Sequence, residues 1–178
     1  MSLNWLDYEP YVPPYRGPLA ALGRAQAKES FAHWMEARPE RWRQLGHLLE
    51  GTGIELGGSD SQLQTLNDWF RSSVEAKADD PTRLANRWYA VVNDVSGILG
   101  DVLIGRCSGL RWEMFIRGGK SDIAFQKPVI TGFTRVPNLK FNLDLDRLVS
   151  TYAHQIIGGN DVDSDQFLTI LQVGQSKA

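Results

Sequence analysis

Between Leu84 and Leu103 apolar side chains recur at Leu84, Trp88, Val91, Val92, Val95, Leu99, Val102 and Leu103, the three-and-four spacing of one helical face. No other feature restricts the fold as strongly, because a long helix with so continuous a stripe must lie against partners along that side. Asp80 can cap a first turn and Pro81 suits the first helical position, where no N–H is needed, so the spacing predicts a helix starting there. A second stripe, Asn86, Ala90, Asn93, Gly97 and Gly100, is compact. Each interior glycine costs about 1 kcal/mol relative to alanine. The pair therefore predicts close approach of another backbone, or space left for a ligand.

Beyond Gly105 the period changes from helix to strand. Leu110, Trp112, Met114 and Ile116 alternate with Arg111, Glu113, Phe115 and Arg117, which puts one apolar face opposite one polar face. Gly118 to Asp122 carries turn chemistry, and Ile123 to Phe133 is expected to return as the second strand of an antiparallel hairpin. Pro128 has no N–H for a ladder, so that strand should be an edge or break near it. Residues 134–138 form a loop.

On the N-terminal side, residues 1–17 are rich in Pro and Tyr and should run extended, held to the surface by their aromatic rings. Pro18 opens a helix expected to stop at Arg38, because the residue before Pro39 avoids the α region. Pro39 then starts another, with Trp42, Leu45, Leu48 and Leu49 inward and its end at Gly51. Ile54 and Leu56 suit a short strand. Ser59 or Asp60 caps a helix with Leu63, Leu66, Trp69, Phe70 and Val74 inward. Asn142 or Asp144 caps another through Ile156, stopped by Gly158-Gly159. The segment 158–178 comprises an acidic loop and a short element, Phe167 to Val173, read as a strand with a helix as the competitor. The expected fold class is a single α+β domain over residues 1–178: a helical N-terminal half, a long central helix, an antiparallel hairpin or small sheet, and a C-terminal helix.

At 178 residues the chain can bury one substantial core. A lone cysteine, Cys107, leaves no intrachain disulfide and favours a reducing compartment. With no leader pattern and no apolar run of ~20 residues, the expectation is a cytoplasmic protein with no membrane partner. Net charge is −2, but residues 104–140 hold seven basic and two acidic side chains, and the flanking segments are acidic or neutral.

Three pieces of the chain carry a resemblance: Arg38-Pro39-Glu40-Arg41; Gly53-Ile54-Glu55-Leu56 followed by Ser61-Gln62-Leu63 and Asn67-Asp68-Trp69-Phe70; and Leu99-Gly100-Asp101-Val102-Leu103 followed by Gly109-Leu110-Arg111-Trp112-Glu113. Together they resemble a loose group of small bacterial proteins of unknown function, in which a Leu-Gly-acid helix end precedes a Gly-x-x-Trp strand. Some of that group look like immunity proteins. The resemblance spans residues 38–157 and implies a binding role; it brings no catalytic residue.

Several side-chain sets have the composition of a site. Asp161, Asp163 and Asp165 have the oxygen spacing of a calcium loop, but Gln166 replaces the turn glycine and Gln172 the bidentate Glu. His33 and Glu36 with His47 could meet at a metal only if two helices faced each other there. Asp94, Asp101, Glu113 and His154 are the candidate acid–base set. Cys107 has no evident base beside it. No phosphate loop, nucleophile elbow or dinucleotide fingerprint is present, so no cofactor is implied. The basic strip is short for nucleic acid. Arg111, Glu113, Phe115 and Arg117 share one strand face with Lys120 beyond it, and Arg with an aromatic is the composition of protein interfaces. The leading expectation is a non-catalytic, protein-binding module of immunity or regulatory type; the alternative is an enzyme using the carboxylates of the central helix and hairpin.

Overall fold

A computed structural model describes Leu3, Trp5 and residues 8–178; residues 1, 2, 4, 6 and 7 of the N-terminal segment lie outside the described residues. The fold is α+β. The elements run α1 (Arg24–Glu50), α2 (Asp60–Ser73), β1 (Ala76–Lys77), β2 (Asp80–Leu84), α3 (Asn86–Arg106), β3 (Arg111–Met114), β4 (Pro128–Thr131), α4 (Leu145–Ile157) and α5 (Gln166–Lys177), with a single 3-10 turn at Leu19–Ala21. No helix among the described residues is long and apolar enough to cross a membrane.

The central helix is α3, and its apolar stripe is buried as the spacing requires: Trp88, Val91, Val95 and Leu99 are fully enclosed. It packs against α1, α4 and α5. On its side facing α2, α4 and α5, Phe70 lies edge-on to Trp88 at 5.7 Å, parallel to Tyr152 at 6.1 Å and 5.4 Å from Phe167. This aromatic group joins four helices around one core.

The start of α3 differs from expectation. Asp80 does not cap it. The Asp80 carboxylate instead accepts from the Thr82 backbone N–H at 3.1 Å and the Thr82 hydroxyl at 2.6 Å, and residues 80–84 pair antiparallel with Ala76–Lys77. Asp side chains compete for the backbone in this way, and burial of Leu84 beneath the strand completes the exchange. The helix begins after Ala85.

Pro39 does not divide α1. A proline in a helix interior costs about 3 kcal/mol, yet residues 24–50 form one helix. Side chains from both sides of Pro39 are fastened to α3: Trp34 and Arg38 before it, Arg41 and Trp42 after it. These tertiary bonds hold both halves in line. Ile54 and Leu56 lie in an irregular segment rather than a strand.

The antiparallel hairpin forms, with Trp112 opposite Ile130 and Glu113 opposite Val129. Its second strand is shorter than 123–133 and starts at Pro128, where no ladder donor is required. Residues 115–127 instead turn back on themselves around Phe115, Ala124 and Val129. Ile130 also exchanges two backbone bonds of 3.0 Å with Leu143, so β4 is paired on both sides at that residue. Helix α2 is capped by Ser59 and α4 by Asp144 through the Arg147 N–H.

The segment Phe167 to Val173 is helical, as part of α5. Its own N-cap residue, Asp165, makes no side-chain cap. Asn67 of α2, fully buried, accepts from the Phe167 N–H at 3.1 Å and donates to the Ser164 carbonyl at 2.7 Å. A residue a hundred positions away thus supplies the cap that the local sequence lacks.

Candidate functional site

The two carboxylates of the central helix are engaged from within. Asp94 is 1% exposed. Arg41 donates Nε and Nη2 to its two oxygens at 2.8 Å each, and the Tyr8 hydroxyl donates to Oδ2 at 2.6 Å. Arg41 also lies over the Tyr8 ring at 5.5 Å. Burial pushes the Asp94 carboxyl up against the pull of Arg41 and Tyr8. Burial, with Asp94 beside it, drives the Tyr8 phenol well above its usual range. Burial would lower Arg41, but its bonds to Asp94 hold it above the ordinary value. Arg41 and Tyr8 between them bond both oxygens of Asp94, and these contacts anchor the N-terminal segment to α1 and α3.

About two turns further along α3, Asp101 accepts from Arg38 and from two indoles, Trp42 Nε1 at 3.0 Å and Trp112 Nε1 at 2.9 Å. Trp34 stands edge-on to Trp112 at 4.7 Å, and Arg38 lies 5.8 Å from each of these two rings. The compact stripe on α3 exists for these rings. A Cβ on Gly100 would stand 2.0 Å from Trp112 Cζ2, and one on Gly97 would touch Trp34 at 3.7 Å. The glycines admit indoles, not another backbone. The space between Trp34, Arg38, Arg41, Trp42 and α3 is filled, leaving no volume for a ligand.

Glu113, the third acid–base candidate, accepts from Arg111 at 3.1 Å, Arg117 at 3.0 Å and the Thr131 hydroxyl at 2.9 Å. Burial acts to raise its carboxyl, but Thr131 and Arg117, with Arg111, hold it below the usual carboxylate range. Asp94, Asp101 and Glu113 are therefore not gathered at one site; each has its own set of donors. His154 donates or accepts at Nδ1 against the Ser150 carbonyl at 2.7 Å, and a carbonyl accepts only, so Nδ1 carries the proton.

The hairpin face is also rearranged. Arg111, Arg117 and Lys120 are exposed, whereas Phe115 is 1% exposed and turned inward with Ala124 and Val129. The alternation fails there because β3 ends at Met114 and the chain turns. The remaining surface is an Arg–Glu–Arg group in which one carboxylate bridges two guanidiniums, with Phe115 withdrawn from it.

No cluster of three His, Cys, Asp or Glu side chains that could hold a metal is assembled among the described residues. In the loop with Asp161, Asp163 and Asp165 it is main-chain oxygens that are used, by α2 and α4: the Asp163 carbonyl accepts from Tyr152 and the Ser164 carbonyl from Asn67 and Gln64. His33 and His47 lie on the one continuous α1 and cannot face each other across two helices.

What the structure does assemble is a cavity of about 270 Å³ between the N-terminal segment, α1, α3 and the hairpin. Tyr11, Pro13 and Tyr15 line it from the extended segment and Leu19 from the 3-10 turn that follows. Ser30, Phe31 and Trp34 of α1, Asn93 and Ser96 of α3, and Trp112 of β3 form the inner wall. Gln126, Lys127, Pro128 and Asp146 complete it.

The extended segment crosses the cavity as a strap fixed at several points. Beyond Tyr8, the Glu9 N–H donates to Gln44 at 2.9 Å, Tyr11 bonds His33 at 2.9 Å, and Tyr15 donates to Glu29 at 2.6 Å. Burial raises the Tyr11 phenol to about 12. At the far end Gln126 Nε2 donates to the Leu19 carbonyl at 2.6 Å and the Leu22 carbonyl at 3.1 Å. Gln126 has φ 63°, left-handed backbone that is rarely adopted without glycine. Its N–H is bonded to the Phe115 carbonyl and its side chain to the strap, which together hold that conformation.

Two polar groups on the inner wall are not consumed by the fold. Ser30 is 4% exposed and its hydroxyl has no partner among the described residues. Asn93 accepts from Trp34 Nε1 at 3.1 Å, while its amide nitrogen donates to no group among the described residues. Sequence reasoning missed the cavity, although the Pro- and Tyr-rich segment and the compact stripe through Asn93 are its two local traces.

No family model matches the chain, and neither the curated proteins nor the solved structures compared with it give a match.

Proposed function

We propose that the chain is a non-catalytic, small-molecule-binding module whose site is the cavity under the N-terminal strap. The observation that carries this reading is the Ser30 hydroxyl, 4% exposed and without a partner among the described residues, on the wall of an aromatic cavity. Leaving such a group unsatisfied costs about 1–3 kcal/mol, and a ligand bonded to it recovers that cost. Mostly apolar walls with a few convergent polar groups are the usual make-up of ligand sites. The engagement of Asp94, Asp101 and Glu113 by internal donors supports the non-catalytic part. An NMR screen of small aromatic fragments against wild type and Ser30→Leu tests it. Fragments that bind wild type and are lost when leucine fills the space support the reading; equal binding by both folded proteins overturns it.

A second reading places a protein partner of immunity or regulatory type on the hairpin surface of Arg111, Glu113, Arg117 and Lys120, in the cytoplasm. One observation favours it: Leu139 stands 86% exposed beside that group, its carbonyl bonded by Arg117 at 3.0 Å. A partner captured from bacterial lysate by wild type but not by folded Arg111→Glu/Arg117→Glu supports this reading, and equal capture by both removes it.

A further inference from the structure

The charged part of the cavity wall is not balanced. Lys127 and Asp146 both line the cavity. Lys127 donates to Asp144 Oδ2 at 3.2 Å, and Asp144 Oδ1 accepts from the Arg147 N–H at 3.0 Å. The ammonium and both Asp144 oxygens thus serve the start of α4. Asp146 makes no ion pair among the described residues, so this wall keeps one uncompensated carboxylate. Its place in the first turn of α4 suits the helix dipole, but that accounts for an acid on the helix and not for one exposed on the cavity wall. Asp146 stays open to solvent at the mouth of the cavity; the protein packed around it and the neighbouring Asp144 raise its carboxyl, and Lys127 opposes them.

The remaining wall has complementary chemistry. Tyr11, Tyr15, Phe31, Trp34 and Trp112 supply aromatic surface, and aromatic faces attract cations. Ser30 and the Asn93 amide offer hydrogen bonds to a polar group away from the charge. The volume, about 270 Å³, is less than twice the ~150 Å³ that accommodates benzene, which fits one ring and a short arm. Resting on the reading of this cavity as a ligand site, we infer that it selects a small organic cation: an arylalkylamine whose ammonium meets Asp146 and whose ring, bearing one hydroxyl, lies among the aromatic side chains toward Ser30 and Asn93.

The probes are tyramine, its uncharged counterpart 4-ethylphenol, and the anion 4-hydroxyphenylacetate, titrated by calorimetry and NMR into wild type, Asp146→Asn and Ser30→Ala. Tyramine is expected to bind wild type roughly tenfold more tightly than 4-ethylphenol, the combined scale of a cation–aromatic contact and an ion pair at a solvent-exposed carboxylate, and the anion most weakly. Asp146→Asn should bring the amine-to-phenol ratio close to one while 4-ethylphenol still binds. Ser30→Ala should weaken tyramine and 4-ethylphenol alike, since both carry the ring hydroxyl. In wild type alone, added salt should reduce tyramine affinity and leave 4-ethylphenol unchanged, a measurement that needs no variant to fold. Equal binding of amine and phenol, or tightest binding of the anion, overturns the cation assignment while the cavity remains a ligand site. Binding of none of the three, with other fragments also silent, overturns the cavity reading and this inference with it.

Discussion

Replacing Gly100 with alanine tests the contact on which the inner wall depends. In an exposed helix the change would stabilise by about 1 kcal/mol, the propensity gain. Here the new Cβ would stand 2.0 Å from Cζ2, 2.4 Å from Cη2 and 2.9 Å from Cε2 of Trp112. These are atoms of a rigid indole, so the ring must move as a whole. Moving it breaks the Trp112 Nε1 bond to Asp101, which as a bond to a charged group is worth about 1.5–3 kcal/mol. It also disturbs the edge-on pair with Trp34, worth ~0.5–1.5 kcal/mol. Set against the propensity gain, the net loss is about 1–3.5 kcal/mol. Urea denaturation followed by far-UV circular dichroism gives the stability, and tryptophan fluorescence reports the displaced ring. A cycle with Trp112→Phe isolates the cause, because the smaller ring lacks most of the clashing atoms: in that background Gly100→Ala should be neutral or stabilising. If Gly100→Ala stabilises the wild-type protein, or its effect is the same in both backgrounds, the reasoning fails.

Asn67→Ala removes both bonds that hold the start of α5, leaving the Phe167 N–H and the Ser164 carbonyl to Gln64 and solvent. A loss of about 2–4 kcal/mol is expected, with hydrogen exchange in residues 166–177 quickened first; a change under ~0.5 kcal/mol would show that α5 needs no such cap. Glu113 predicts a pH dependence. Its folded carboxyl lies below the usual range, so its contribution is complete above the unfolded value of about 4.3 and is lost as pH falls through the lower folded value. Glu113→Gln should therefore show a shallower fall in stability below about pH 4 than wild type, and parallel acid limbs would count against the Thr131 and Arg117 bonds as its source.

Where partners are near in sequence, the residues alone were enough. Ser59 reaches the Gln62 N–H and Asp144 the Arg147 N–H, each three residues on, and both helix starts were legible. The apolar stripe of α3 and the alternation through Trp112 likewise carry their periods in consecutive residues. Legibility ended where a local preference had a competitor. Asp80 had two uses within reach, a helix cap and a turn to Thr82, and the pairing of residues 80–84 with Ala76–Lys77 decided between them. Phe115 fits a polar strand face by count, yet the turn after Met114 puts it among Ala124 and Val129. The three carboxylates chosen as acid–base candidates were chemically reasonable, but which donors reach each of them depends on Arg38, Arg41, Trp42 and Arg117, of which only Arg117 lies close in the chain to its acid.

Period and capping act within a few residues, so an α+β chain with a long buried helix leading into an antiparallel hairpin is legible from the residues alone. Tertiary structure alone decided that α1 runs through Pro39, since the bonds that offset the proline come from Asn93, Asp94 and Asp101 on another helix. It decided that the last segment is a helix, since its cap is Asn67. It also created the cavity, whose wall draws on the strap, α1, α3, the hairpin and the start of α4. A cavity is space left between elements that never meet in the chain, and no local pattern records where that space will be.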